Sequence, residues 1–455
     1  MCWDGSPEDL SFEYLMCGLN LSPWEDAMIK GMFLGLLSLT LLSSLAWAHG
    51  NFDDREQLYW MKVKATTWEE RNEIANTGAV IEQVREDYLI VLGTETELNK
   101  IRSLGRLDVS FRWDLSRDFP DKDADFHNYT EVVDKLKSLN AAHSDITELI
   151  DIGGTVEDRR VWAVRVTGQL EQKGSLPGIV FMGGHHSREH LSVDTPLRQL
   201  ERLLTEYKQG NERVRRLINS REIFFIPAVN PDGLEFDIAG ETYKAWRKNR
   251  AKNKNGTFGV DLNRNYSFGW GTGGSSTNPS SDTFMGPQAF SEPETQNIKN
   301  FIEARPNINI LLSYHTFSEL ILYPWGGKSS GIEVDTDRKV FETMAQTMAG
   351  WNKYQPMQAS QLYIASGDTC DWAYGEHKIF CFTFELDPKN AWGTSGFYPG
   401  QAVIPGVVAK NYEPLLYLTD LADNPYRALQ KSTNSPANFH FARQAPAWTH
   451  SSVVR

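Results

Sequence analysis

Four side chains able to bind a metal or move a proton stand at or just past the ends of apolar runs. His186 and Glu189 frame the tetrapeptide His186-Ser187-Arg188-Glu189, shortly after the run Gly178–Met182. Zinc takes imidazole nitrogen and carboxylate oxygen at about 2.0–2.2 Å, and an H-x-x-E at a strand-to-helix turn can aim both donors at one ion. His315 closes a second apolar run, in Ser313-Tyr314-His315. Two imidazoles and one carboxylate leave a fourth position open, as a catalytic rather than a structural zinc requires. By itself His315 reads first as a hydrogen-bonded core histidine. Glu385 ends a third run, Phe382-Thr383-Phe384-Glu385. A carboxylate on an aromatic strand is costly to bury without a partner. It is either an ion-paired strand end or a general base for an attacking water.

Basic residues add a second kind of chemistry. Arg247 lies in Trp246-Arg247-Lys248-Asn249-Arg250, and Asn263 and Arg264 lie in Val260-Asp261-Leu262-Asn263-Arg264-Asn265. The guanidinium fork suits a carboxylate. A basic run of this kind is otherwise a solvated face.

The elements that must carry these residues fall into two groups. Residues 58–113 alternate strand-like stretches (58–65, 88–93, 107–113) with helices at 67–76 and 94–104. Thr67 and Thr94 are the expected caps, with Glu97 three residues after Thr94. No catalytic cluster falls there. Residues 114–125 are polar, charged and broken by Pro120, as in an exposed linker, and Arg117 and Lys122 offer sites to a trypsin-like protease. From Tyr129 the pattern becomes larger: a helix at 130–140, strands at 161–166, 178–182, 223–227, 308–314 and 379–385, a helix at 191–207 and another closing the domain at 401–421. Buried strands alternating with helices imply an α/β fold, a mixed central sheet covered on both faces, preceded by a small α+β module. The expected boundaries are 1–48 signal peptide, 49–113 module, 114–125 linker, 126–423 catalytic domain and 424–455 tail without assigned role.

The formal charge of −13 argues against a nucleic-acid binder, which needs a basic footprint. Met32 to Ala48 is apolar and uncharged, follows Lys30 and ends Ala46-Trp47-Ala48, the pattern of a cleavable secretion signal. The acidic residues before it are wrong for such a signal, so translation is expected to start at Met28 or Met32. Cysteines are few: Cys2, Cys17, Cys370 and Cys381. The last two could be bridged in an oxidising compartment or be buried thiols.

Taken together, HSRE, Asn230–Gly233 (NPDG), WRKNR, VDLNRN, Phe290–Glu294 (FSEPE), SYH, Ser366–Trp372 (SGDTCDW) and FTFEL occur in the order found in zinc metallocarboxypeptidases of the carboxypeptidase A and B type. The resemblance spans about Tyr129 to Leu421, and the wording of SGDTCDW and HKIF is similar to bacterial members such as carboxypeptidase T. It implies one Zn2+ held by His186, Glu189 and His315. It implies Glu385 as general base and Arg247 as the group that polarises the scissile carbonyl. Asn263 and Arg264 would grip the terminal carboxylate of a peptide, Tyr363 would close over the bound residue, and Arg188 would touch the substrate backbone. The module at 49–113 stands where the family carries an inhibitory propeptide, removed by an activating protease. Lys244 and Phe317 depart from the pattern, where an arginine and a tyrosine are common. Cys370 occupies the specificity-pocket position and settles neither an apolar nor a basic preference, while Asp368 could attract Lys or Arg or be a turn residue. The expectation is a secreted, monomeric carboxypeptidase of broad specificity acting on peptides with a free C-terminus. A cell-wall zinc amidohydrolase of the same fold and an inactive binding homologue are the alternatives.

Overall fold

The computed structural model describes residues 56–112, 117–118, 125–238, 242–391 and 393–430. The expected signal segment and most of the linker and tail lie outside these residues. Among the described residues no helix is long and apolar enough to cross a membrane.

The N-terminal module is one antiparallel sheet with two helices. Its elements are β1 (Tyr59–Lys64), α1 (Trp68–Ala75), β2 (Val80–Val84), β3 (Tyr88–Gly93), α2 (Glu95–Ser103) and β4 (Leu107–Arg112), with strand order β2-β3-β1-β4. Thr67 and Glu70 form a reciprocal cap at α1, and Thr94 and Glu97 do the same at α2. Met61, Val63, Ile74, Leu89, Val91, Leu98 and Ile101 make the module's own core. The sequence reading has no strand at β2, because Glu82 and Gln83 interrupt its apolar alternation. The register against β3 slips between Ile81 and Gln83, so Glu82 is the extra residue of a bulge. A bulge re-aims a side chain out of the ladder.

The central sheet of the large body has eight strands: β5 (Thr147–Gly154), β6 (Arg160–Val166), β7 (Gly178–Met182), β8 (Glu222–Ile226), β9 (Ile308–Thr316), β10 (Leu320–Tyr323), β11 (Gln355–Gln358) and β12 (Phe380–Leu386). Their order is β11-β10-β12-β9-β7-β8-β6-β5. The central neighbours β12, β9, β7 and β8 run parallel, while β5 and β6 are antiparallel additions and β10 pairs antiparallel with β12. Strands β7 and β8 are buried at every residue, as continuous apolar runs covered on both faces must be. Core clusters on the two faces are capped by helices, among them α3 (Tyr129–Ala142), α4 (His190–Lys208), α5 (Glu212–Ser220), α6 (Pro231–Ile238), α7 (Pro293–Glu303), α8 (Asp335–Asn352) and α9 (Thr369–His377).

The single closing helix expected at 401–421 is three pieces: a 3-10 turn at Gln401–Val403, α10 (Ile404–Lys410) and α11 (Tyr412–Leu421). The break falls at Asn411, which leaves helical dihedrals and whose amide donates to the Val407 carbonyl and the Tyr354 hydroxyl. Asparagine side chains compete with the backbone in this way. The packed chain continues past residue 423, since the Tyr426 hydroxyl donates to Asp337 at 2.7 Å.

Candidate active site

Parallel strands bring the dispersed motifs to one edge. The carboxyl ends of β7, β9 and β12 are adjacent, and His315 on β9 stands directly across from Glu385 on β12. After β7 the chain turns sharply through Gly183 and Gly184. A Cβ on Gly183 would lie 1.9 Å from the Ser192 carbonyl, so only glycine lets the turn pass beneath α4. That turn delivers His186 and Glu189 to the same edge, where ligands of open α/β sheets collect.

The donor set is tight and buried. His186 Nδ1 is 2.8 Å from Glu189 Oε1, His315 Nδ1 is 3.0 Å from Glu189 Oε2, and the two Nδ1 atoms are 3.2 Å apart. Two imidazole nitrogens converging on one carboxylate fit a cation better than they fit each other, and one donor from each of the three residues lies within 4.8 Å of the others. The remote nitrogens are held as well: His186 Nε2 by Asp261 at 3.0 Å and His315 Nε2 by Ser313 at 3.1 Å. Such outer contacts fix tautomer and ring orientation at metal sites.

Charge organises the surroundings. Asp261 takes both His186 and the Arg247 guanidinium, whose Nε and Nη2 donate at 3.0 and 2.9 Å. Burial opposes its ionisation, but Arg247 and His186 hold the carboxyl well below its ordinary value. Glu189 is likewise held low against its burial, by His186 and His315. Burial lowers His186, and Arg247 adds to it. Burial also pulls His315 down, yet Glu189 beside it leaves it raised. His185, fully buried, is driven well down by desolvation and by the neighbouring imidazoles, so it is neutral. Glu385 is pushed up to about 8 by burial, against the pull of His315. A dication at this edge would draw it back toward the ionised form.

A cavity of about 640 Å³ opens over these groups. His186, Glu189, His315, Glu385, Arg247, Asn263, Arg264, Tyr363 and Phe317 all line it. Three expected site residues do not. Arg188 is fully buried, donates to Glu82 at 2.7 Å and to Asp282 at 3.2 Å, and stacks on the Phe397 ring. Asp368 caps α9 by accepting from the Cys370 and Asp371 amides, which is its turn-residue reading. Cys370 is in a disulfide with Cys381, which decides between the two cysteine readings, and lies behind Thr383 at 3.4 Å. Lys244 has its amine over the Phe236 ring.

The opposite wall comes from the N-terminal module. Residues from Ala79 to Glu86 line the cavity, the Tyr363 hydroxyl reaches the Ile81 carbonyl at 3.5 Å, and Ser281 and Thr283 both donate to the Gly78 carbonyl. The Glu82 side chain is 8% exposed here, and burial pushes its carboxyl up to about 7 although Arg188 and Arg247 pull it down.

Sequence reasoning passed over three residues. Asp261 was visible inside VDLNRN, as an acid directly before a polar and basic pair. His185 was visible as the first of a histidine pair. Glu82 gives no local signal, since its partner is 106 residues away.

An α/β sheet with a His-Glu-His donor set at its carboxyl edge and a proton-transfer acid beside it defines a zinc-dependent hydrolase. The chain belongs to the peptidase M14 zinc carboxypeptidase family, whose model matches residues 132–414. It is 32% identical over 378 residues to a zinc carboxypeptidase of Saccharothrix mutabilis subsp. capreolus, covering 77% of this chain and 86% of that one. It is 31% identical over 330 residues to carboxypeptidase A5 of Homo sapiens, covering 70% of each. Its fold is similar to that of the carboxypeptidase A of Helicoverpa armigera, with a TM-score of 0.66 at 23% identity over 82% of this chain and 98% of that one. It also matches thrombin-activatable fibrinolysis inhibitor, with a TM-score of 0.65 at 21% identity over 81% and 99%. The protein is therefore a metallocarboxypeptidase, and its cofactor is one zinc ion.

Proposed function

We propose that this chain is a secreted, self-blocked zinc carboxypeptidase that releases single residues from peptides bearing a free C-terminus. The observation that carries the reading is the presence of Asn263, Arg264 and Arg247 in the same cavity as the His186-Glu189-His315 set. An exopeptidase needs a cationic grip for a chain end beside its metal.

His186, Glu189 and His315 would hold the ion. Zinc, when bound there, acidifies water and polarises a carbonyl. Arg264 and Asn263 bind the α-carboxylate and so fix which peptide bond faces the metal edge. Arg247 donates to the scissile carbonyl as negative charge gathers on it, and Asp261 keeps that guanidinium aimed. Glu385 takes a proton from the attacking water at its carboxylate and returns it to the departing amine. Tyr363 covers the bound residue. Neither Asp368, engaged in capping, nor Cys370, in a disulfide, lines the cavity, so neither offers a C-terminal side chain a charge to select. Broad acceptance of aromatic and aliphatic C-terminal residues follows.

Residues 49–113 act as an inhibitory segment, with the cut between 114 and 125 made by a trypsin-like protease, and the active enzyme is a monomer. The fit of β2 against the cavity supports this, with Glu82 on Arg188 where peptide backbone would lie.

The test uses trypsin-treated protein and N-blocked dipeptides ending in Phe, Leu, Lys or Arg. Release of the last residue, abolished by chelator and restored by zinc, is the expected result, with Phe and Leu ahead of Lys and Arg. Cleavage confined to peptides with amidated ends would overturn the exopeptidase reading. Glu385→Gln should keep one zinc per chain while turnover falls by roughly 10²-fold or more.

A further inference from the structure

The amide of Asn263 has a fixed sense. Two donors from Thr369 meet its Oδ1: the backbone N–H at 3.0 Å and the hydroxyl at 2.9 Å. A backbone N–H can only donate, so the atom facing it is the amide oxygen. The Asn263 NH2 group therefore faces away from Thr369, and no protein acceptor meets it among the described residues. Its main chain is pinned too, because the Asn263 amide donates to Asp261 Oδ1 at 3.0 Å.

What orients the Thr369 hydroxyl lies deeper. His185 Nε2 is 3.2 Å from Thr369 Oγ1 and 2.9 Å from the Tyr266 hydroxyl. Its Nδ1 faces Ser313 Oγ at 3.5 Å, and Ser313 Oγ is 3.1 Å from His315 Nε2. The His185 ring lies parallel to the His315 ring, 5.6 Å between centroids. His185, Ser313 and Thr369 are all fully or almost fully buried, so water does not compete for these contacts.

The direction of this chain is set at one end. Asn263 Oδ1 can only accept, so the Thr369 hydroxyl donates to it, and the Thr369 oxygen is left to accept from His185 Nε2. His185 must carry its proton on Nε2 and donate it toward Thr369 and Tyr266. The other nitrogen of this neutral ring, Nδ1, is then an acceptor and faces the Ser313 hydroxyl.

We infer that Thr369, itself oriented by His185, is a positioning residue that locks the Asn263 amide with its NH2 toward the bound α-carboxylate, through hydrogen bonds that run from His185 to the Thr369 hydroxyl and on to Asn263 Oδ1. This rests on the proposed role of Asn263 as part of the carboxylate grip. In the other sense the amide would present oxygen to an anion and repel it.

Thr369→Val keeps shape and removes the hydroxyl, and Thr369→Ser keeps the hydroxyl. On trypsin-treated full-length protein, Thr369→Val should raise KM for a dipeptide ending in Phe by about 5- to 10-fold while kcat stays within about 2-fold, the size of one lost hydrogen bond. Thr369→Ser should return KM to near the wild-type value. A second readout needs no turnover: calorimetric binding of the N-acylated dipeptide and of its C-terminal amide to zinc-stripped protein. Wild type should prefer the acid, Thr369→Val should lose that preference by about the same factor, and adding His185→Leu to Thr369→Val should cost little more, because both act on one hydroxyl. If wild type binds acid and amide alike, the carboxylate grip fails and this inference falls with it. If wild type prefers the acid and Thr369→Val does too with unchanged KM, or if Thr369→Ser fails to rescue, the positioning role is wrong while the grip stands.

Discussion

Asp261 is the residue on which the metal edge and the basic clamp both depend. One carboxylate orients His186 and aims Arg247, and its backbone neighbours are Asn263 and Arg264. Asp261→Ala should weaken zinc binding by about 10- to 100-fold, the usual consequence of losing an outer partner of a ligand histidine. Competition against a graded chelator measures it, and wild-type zinc affinity in that variant would contradict the assignment. Glu82 makes a separate prediction. Its carboxyl, ordinarily near 4.5, is lifted to about 7 in the closed arrangement, so the closed chain holds the extra proton between those values. Its stabilising contribution is complete below about pH 4.5 and lost as pH rises through 7, a difference on the order of 3 kcal/mol. In the metal-free full-length chain, thermal midpoints should drift down over that window relative to Glu82→Gln, which cannot ionise. Parallel curves for the two proteins would refute the burial of an acid there.

At the scale of elements, β9 does most of the positioning. It is hydrogen-bonded to β7 on one side and β12 on the other, so His315 is held between the strand that leads to His186 and the strand that carries Glu385. Leu312, fully buried, faces Phe181 and Phe382 in register. Leu312→Ala should cost roughly 2–5 kcal/mol by urea unfolding, the range for a leucine removed from a closed core. Zinc stoichiometry of the fraction that stays folded should be unchanged, because the ligands hang from strand ends rather than from that side chain. A cost below about 1 kcal/mol would mean the centre of the sheet is looser than its burial implies. The bulge in β2 is the counterpart in the small module, since without the slipped register Glu82 would follow the ladder's alternation instead of meeting Arg188.

At the scale of the whole molecule, the N-terminal module supplies one wall of the cavity. Its contacts are spread over several segments: Trp68 Nε1 donates to the Ser360 carbonyl, Asn72 accepts from the Ile364 amide and Asn76 accepts from the Gly274 amide. Such contacts tie the segments around Tyr363 to the module, so under the proposed inhibitory role the module must leave before Tyr363 covers a substrate. Uncut protein should therefore turn over dipeptides at least about ten times more slowly than the same preparation after trypsin, a barrier difference of roughly 1.4 kcal/mol. Equal rates before and after the cut would remove the inhibitory role.

The chemistry of the site was legible in the residues themselves. Metal donors, a lone acid on an aromatic strand and arginines beside asparagine have few other uses in combination, and their order along the chain narrows the family. Apolar runs identified the central strands, because strands buried on both faces leave that pattern. The edge strand β11, its neighbour β10 and the bulged β2 left no such trace, being short or mixed in polarity. Only the folded chain decided which groups share a proton or a charge. Asp261 beside His186, His185 beneath Thr369, Glu82 on Arg188 and the Cys370–Cys381 bridge all join segments whose meeting depends on how the elements pack. Residue type fixes what a side chain can do. Whether an acid grips substrate, caps a helix or plugs a cavity depends on what burial and its neighbours leave it: Asp368 caps through amides two and three residues on, whereas Glu82 acquired its place from tertiary packing alone.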